Sequence, residues 1–124
     1  MGLQLHSTNI EPGITVVIAS GVVTRATELQ SGELFLAELL KTREKDVIVD
    51  LTGVEHMDSS GVQMMYACFA AVRDAGGGLC FVGANPRVSR LFEITRLDTL
   101  LPFYTTVAAA REAITQKRKA AEEA

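Results

Sequence analysis

Two neighbouring serines stand between an aspartate and a glycine, Asp58-Ser59-Ser60-Gly61, where an apolar run gives way to a helical pattern. Residues of these types at such a place do one of two kinds of chemistry. As caps, an Asp or Ser oxygen accepts hydrogen bonds from first-turn N–H groups that have no partner inside the helix. As a phosphoryl acceptor, an exposed serine turns a neutral surface dianionic, at a helix end whose dipole favours negative charge. Ser59 is expected to project outward at the cap, and Ser60 to begin the helix and face neighbouring backbone. Asp58 can orient the segment by accepting from a hydroxyl or a first-turn N–H. Gly61, lacking a side chain, is expected to admit another chain's backbone or a nucleotide's terminal phosphate. Met57 and Met64 are expected to be exposed, adaptable contact residues, and Met65 to lie in the core. Charge added at Ser59 is tolerated by the domain but penalised against an acidic or apolar partner, so such a switch acts on binding and not on folding.

The elements that must position this segment read as follows. Gln4 to Ser7 predicts a short strand, Glu11-Pro12-Gly13 a turn, and Ile14 to Ala19 a β-branched strand completing a hairpin. Thr27 to Thr42 predicts a helix, with Leu29, Leu36, Leu39 and Leu40 on one face and Gly32 weakening it. Asp46 to Leu51 is continuously apolar after its first residue apart from Asp50, the pattern of a central strand buried on both faces. Val62, Met65, Tyr66, Phe69 and Val72 recur at helical spacing up to Ala75, where Gly76-Gly77-Gly78 stops the helix before a strand over Leu79 to Val82. Asn85-Pro86 starts another helix, with Val88, Leu91 and Phe92 on one face. Leu101 to Tyr104 suits an edge strand, and a last helix begins at Val107. Strands alternating with helices after a hairpin predict an α/β fold: a mixed sheet of about four or five strands, mostly parallel later on, with about four helices packed on it. Sites in such sheets gather at the strand C-termini, where Asp58 to Gly61 fall.

Composition narrows the function classes. The chain has 124 residues, 48% of them hydrophobic and 22% charged, enough for one domain with its own core. That domain is expected over residues 1–115, with 116–124 a polar helical or frayed tail. A net charge of −3 and a pI near 5.3 argue against direct nucleic-acid binding. No apolar stretch approaches membrane-spanning length, so no membrane insertion is expected. Cys68 and Cys80 are spaced neither as a CxxC pair nor, with His6 and His56, as zinc ligands; reduced core cysteines in a cytoplasmic protein are expected, with no metal and no cofactor. A hydrolytic triad of His56, Asp58 and Ser59 is disfavoured, because the three lie too close in sequence to converge and the Gly-x-Ser-x-Gly elbow is absent. Arg87, Arg90 and Arg96 read as a solvated helix face, better suited to an acidic protein than to DNA.

The stretch from Val47 to Val62, containing Val49-Asp50-Leu51 and Met57-Asp58-Ser59-Ser60-Gly61-Val62, resembles the signature of anti-sigma factor antagonists, members of the STAS domain family. Ala75-Gly76-Gly77-Gly78, the strand Leu79 to Val82 and Asn85 to Leu97 are similar to the family's later segments, in the same order, so the resemblance spans roughly residues 3 to 115. It implies the STAS fold and a non-enzymatic switch. The unphosphorylated form would bind an anti-sigma factor serine kinase and free a sigma factor, phosphorylation at Ser59 would end that binding, and a PP2C-type phosphatase would restore it. Met57, Asp58, Ser60, Gly61 and Met64 would then surround the acceptor as partner-binding residues. The resemblance also leaves room for a constitutive STAS scaffold or accessory subunit in another signalling or transport assembly. One departure stands out: family members often carry Gly-Glu-Leu-Asp after the second strand, where this chain has Gly21-Val22-Val23-Thr24.

Overall fold

Two apolar faces on one sheet dictate helices on both sides of it, and the computed structural model, which describes residues 3–24, 32, 34, 37 and 45–123, has that arrangement. Strands β1 (Leu3–Glu11) and β2 (Ile14–Val23) form an antiparallel hairpin. Then come β3 (Asp46–Met57), α1 (Ser59–Asp74), β4 (Gly78–Val82), α2 (Pro86–Ile94), a 3-10 turn (Leu97–Thr99), β5 (Phe103–Tyr104) and α3 (Val107–Glu123). The sheet order is β1-β2-β3-β4-β5, and every pairing after the hairpin is parallel. This is the mixed α/β sheet that the alternation of elements predicts. Of the helix expected over Thr27 to Thr42, Gly32, Leu34 and Ala37 are helical, and the rest lies outside the described residues.

Burial follows the sequence pattern most closely in β3. Val47, Val49 and Leu51 face α1 and α2, together with Val17, Phe81, Val62, Val72 and Phe92. Ile48 faces the other way with Ile14, Val16, Cys80, Val82 and Ala110 of α3. Continuous apolarity thus marks a strand covered on both sides. Phe92 of α2 meets Phe103 edge-on at a centroid distance of 5.0 Å, and Phe103 stacks on Phe81 at 5.3 Å, so aromatic packing ties α2 to the β4–β5 end of the sheet.

Strand β3 also runs on to Met57, six residues past the Leu51 at which the apolar run predicts its end. Beyond Asp50 it has no β4 partner, yet β2 continues beside it, pairing Ser20 with Gly53 and Val23 with Met57. Register shifts in this stretch turn both Val54 and Met57 inward although they are three residues apart. Consequently β2 and β3 end together, at the start of α1.

The polar residues after Ile114 continue α3 as helix to Glu123. Arg118 holds that end in place, with Nη2 2.5 Å from Asp46 Oδ2 and 3.1 Å from the Gly13 carbonyl. On the same face, burial pushes the Cys80 thiol up to about 12, with a smaller contribution from the Asp46 charge. The folded thiol therefore stays protonated where the unfolded one ionises, and this contribution to stability is complete below pH 9 and lost as pH rises towards 12. Urea titrations should show stability falling more steeply between pH 9 and pH 11 for the parent chain than for Cys80→Val.

Candidate functional site

Helix α1 starts because Asp58 caps it. Its backbone is extended (φ −110°, ψ −174°), its Oδ1 accepts from Gly61 N–H at 3.1 Å, and its carbonyl accepts from Val62 N–H at 3.2 Å. Its own N–H donates to the Val23 carbonyl at 3.3 Å, fastening the helix start to the end of β2. The cap is thus Asp58, and Ser59 and Ser60 are the first two helical residues. Ser59 is exposed and Ser60 half-buried. Within the described residues, the N–H groups of Ser59 and Ser60 are the two first-turn donors left without a protein partner. An exposed hydroxyl beside two open donors and the positive end of a helix dipole is an environment that accepts negative charge.

Three residues expected around the serine as contacts have a different role. Gly61 is buried: a Cβ there would collide with Met57 Cγ and lie 2.7 Å from the Val23 carbonyl oxygen. The missing side chain makes room for the protein's own β2 and β3 ends, not for a visiting backbone or phosphate. Met57 and Met64, expected to be exposed, are each 4% exposed. Met57 turns inward at the end of β3. Met64 lies with Leu5, Val17, Ala19 and Gly32 around a small apolar gap, so α1 is covered on that flank as well as on its sheet side. Its buried face is consequently rotated from the predicted stripe: Met64 and Cys68 are inside, and Tyr66 is 38% exposed. The accessible line running from Ser59 along α1 consists of Gln63, Tyr66 and Ala67. Only spacing relative to Ser59 could have found it, because nothing in the residue types separates Tyr66 from the core aromatics.

Helix α2 is fixed to the same end of the sheet by one side chain. Asn85 Oδ1 accepts from Val88 N–H at 2.8 Å as a cap, while its Nδ2 donates to the Val54 carbonyl at 3.0 Å. Sequence reasoning found the cap and missed the tether. Aspartate caps as well as asparagine but cannot donate, and would face that carbonyl with a carboxylate. Asn85→Asp should therefore lower unfolding free energy by about 1–3 kcal/mol in urea titrations. A loss no larger than that of a surface substitution would show the tether to be idle.

Arg87, Arg90 and Arg96 are exposed. Arg96 sits in the left-handed region (φ 63°) just beyond α2. His56 is exposed on β3, and among the described residues no hydrogen bond joins it to Asp58 or Ser59. Asp58 spends its carboxylate on the cap. Among the described residues no group of three or more His, Cys, Asp or Glu is placed to hold a metal ion, and no helix is long and apolar enough to cross a membrane.

Comparison with known proteins matches residues 7–110 to the STAS domain. The chain is 35% identical over 65 residues to the anti-sigma-B factor antagonist of Listeria monocytogenes, a stretch covering 52% of this chain and 57% of that protein. It is 25% identical over 105 residues to the anti-sigma F factor antagonist of Paenibacillus polymyxa, covering 84% and 88%. In fold it is similar to the crystal structure of an anti-sigma factor antagonist from Mycobacterium paratuberculosis, with a TM-score of 0.80 over 92% of this chain and 95% of the other at 22% identity.

Proposed function

The chain belongs to the STAS domain family, and from that premise we propose that it is an anti-sigma factor antagonist working by partner switching in the cytoplasm. In its unphosphorylated form it binds an anti-sigma factor that is also a serine kinase, and so frees a sigma factor. The kinase transfers the γ-phosphoryl group of ATP to Ser59 Oγ, releasing ADP and the hydroxyl proton, and the complex falls apart. A PP2C-type phosphatase hydrolyses the phosphoserine and resets the switch. The protein itself catalyses nothing.

The observation that carries this reading is the exposed Ser59 hydroxyl at the first position of α1, next to the two open N–H groups. An added phosphate of about −1.5 to −2 charges meets the helix dipole, worth roughly 0.3–1 kcal/mol per charge, and the Asp58 carboxylate, whose repulsion near water is of similar size. These nearly cancel within the domain. At a docked interface the same charge must be stripped of water, which costs several kcal/mol unless a cation meets it. The exposed line Gln63-Tyr66-Ala67 beside Ser59 supports a partner seated over the front of α1. Within this proposal Gly21-Val22-Val23, which carries no acidic residue, is the end of β2, with Val22 and Val23 paired to His56 and Met57, so kinase recognition rests on α1 rather than on that segment.

The test is incubation with an anti-sigma kinase and ATP, followed by peptide mass spectrometry and gel filtration of the mixture. Phosphate on Ser59 together with loss of co-elution is the expected result. Stable binding with no phosphate on Ser59 would instead identify a constitutive scaffold.

A further inference from the structure

At the opposite end of the sheet, beside the strand N-termini, lies a groove of about 690 Å³ between the end of α1, the segment before β5, and α3. Small-molecule sites typically occupy about 300–1,000 Å³. Phe69, Leu79, Leu101, Pro102 and Ile114 supply apolar walls. The charged residues lining it are three cations, Arg73, Lys117 and Arg118, and one carboxylate, Asp46, in a chain whose net charge is −3. Arg118 is committed to Asp46. Arg73 has only a loose, exposed ion pair with Asp74 at 3.7 Å, and Lys117 has no ion pair with the described residues.

The sheet edge adds a donor. Gly78 N–H points to β3, where it meets the Lys45 carbonyl, and Phe81 N–H points to the β5 side, where it meets Pro102. Strand alternation turns Leu79 N–H to that same side, and β5 begins only opposite Phe81. One open residue is too little edge to hold an added peptide strand, which normally forms a run of main-chain bonds. Of the two aromatic rings lining the groove, Phe69 already has the Arg73 guanidinium over its face at 5.6 Å, and Tyr104 is half-buried, packed on the sheet face with Val107 and Ile114. What remains is a largely aliphatic slot with two exposed cations beside it, Lys117 without an ion pair among the described residues and Arg73 only loosely paired.

We propose that this groove binds a single-chain aliphatic carboxylate, its tail along Leu79, Leu101 and Ile114 and its head at Lys117 and Arg73. The site is independent of Ser59, and its test does not involve the switch. Decanoate titrated into the ¹⁵N-labelled full chain should give saturable shifts at the amides of Leu79, Leu101 and Ile114. Acetate, which has the head without the tail, and decyltrimethylammonium, which has the tail with the opposite charge, should each bind at least about tenfold more weakly. Lys117→Glu should weaken decanoate by a similar factor, and Ala113→Phe, which fills the slot, should block it. Lys119→Glu makes the same charge change on the same helix outside the groove and should leave binding unchanged. No saturable shift in the groove, equal binding of the cationic chain, or equal loss from the Lys117 and Lys119 variants would each overturn the assignment. Retention of the parent amide pattern in each variant establishes that the fold is not what changed.

Discussion

Ser59→Asp is expected to melt within about 3 °C of the parent while losing roughly tenfold to a hundredfold in affinity for the anti-sigma kinase, and Ser59→Ala is expected to bind at parental strength and never to release on addition of ATP. The two halves of this result have separate causes. Stability is nearly unchanged because Ser59 is exposed at the first position of α1, where a carboxylate gains from the dipole about what it loses to Asp58. Affinity falls because the new charge, beside the Asp58 carboxylate, must be stripped of water at the docked face. Phosphorylated Ser59 carries about twice the charge of aspartate and should weaken binding further than the substitution does. Calorimetric titration of the kinase with the three forms measures this directly. Equal affinities for Ser59→Asp and Ser59→Ala would remove Ser59 from the switch.

Gly61→Ala is the second change with a large expected effect, a loss of about 1–3 kcal/mol and a fall in melting temperature of several degrees. In a helix, alanine for glycine normally gains about 1 kcal/mol. Here the added carbon meets Met57 Cγ and stands 2.7 Å from the Val23 carbonyl and 3.0 Å from Val23 Cγ1. Met57 has flexible bonds but is 4% exposed with nowhere to swing, and the carbonyl belongs to β2 and cannot yield alone. Overpacking therefore outweighs propensity. Gly76→Ala is the informative control: nothing lies within 4 Å of a carbon added there, and its cost is the left-handed backbone alone (φ +87°), about 1 kcal/mol. If Gly61→Ala proved as stable as the parent, the close approach of β2, β3 and α1 would not constrain the site as argued.

Local signals were legible where a few adjacent residues sufficed to produce them. Asn85-Pro86 starts a helix, a triple glycine stops one, and an apolar run with no alternation marks the strand covered by α1 and α2 on one side and α3 on the other. The site's residues were legible as types and not as roles. Thr52 to Met57 looks like a loop because its polar residues carry no strong strand signal, and it extends as β3 only because β2 continues alongside. Met64 looks exposed when α1 is assumed to pack on the sheet alone, and becomes core once a second element flanks the helix. Asn85's bond to the Val54 carbonyl joins positions 31 residues apart, a distance over which spacing carries no information. Burial and long-range pairing decide these cases, and neither is a property of a short window of sequence.

The Val23 carbonyl receives the Asp58 amide and also marks the limit of space at Gly61, so three chain segments meet at a single oxygen. The Asp58 N–H is accordingly a built-in reporter: it belongs to the residue adjoining Ser59, yet its exchange with heavy water is governed by whether the second strand stays seated. Following that one resonance through a cycle of modification and dephosphorylation would distinguish a switch that merely repaints the surface from one that also loosens the joint beneath it.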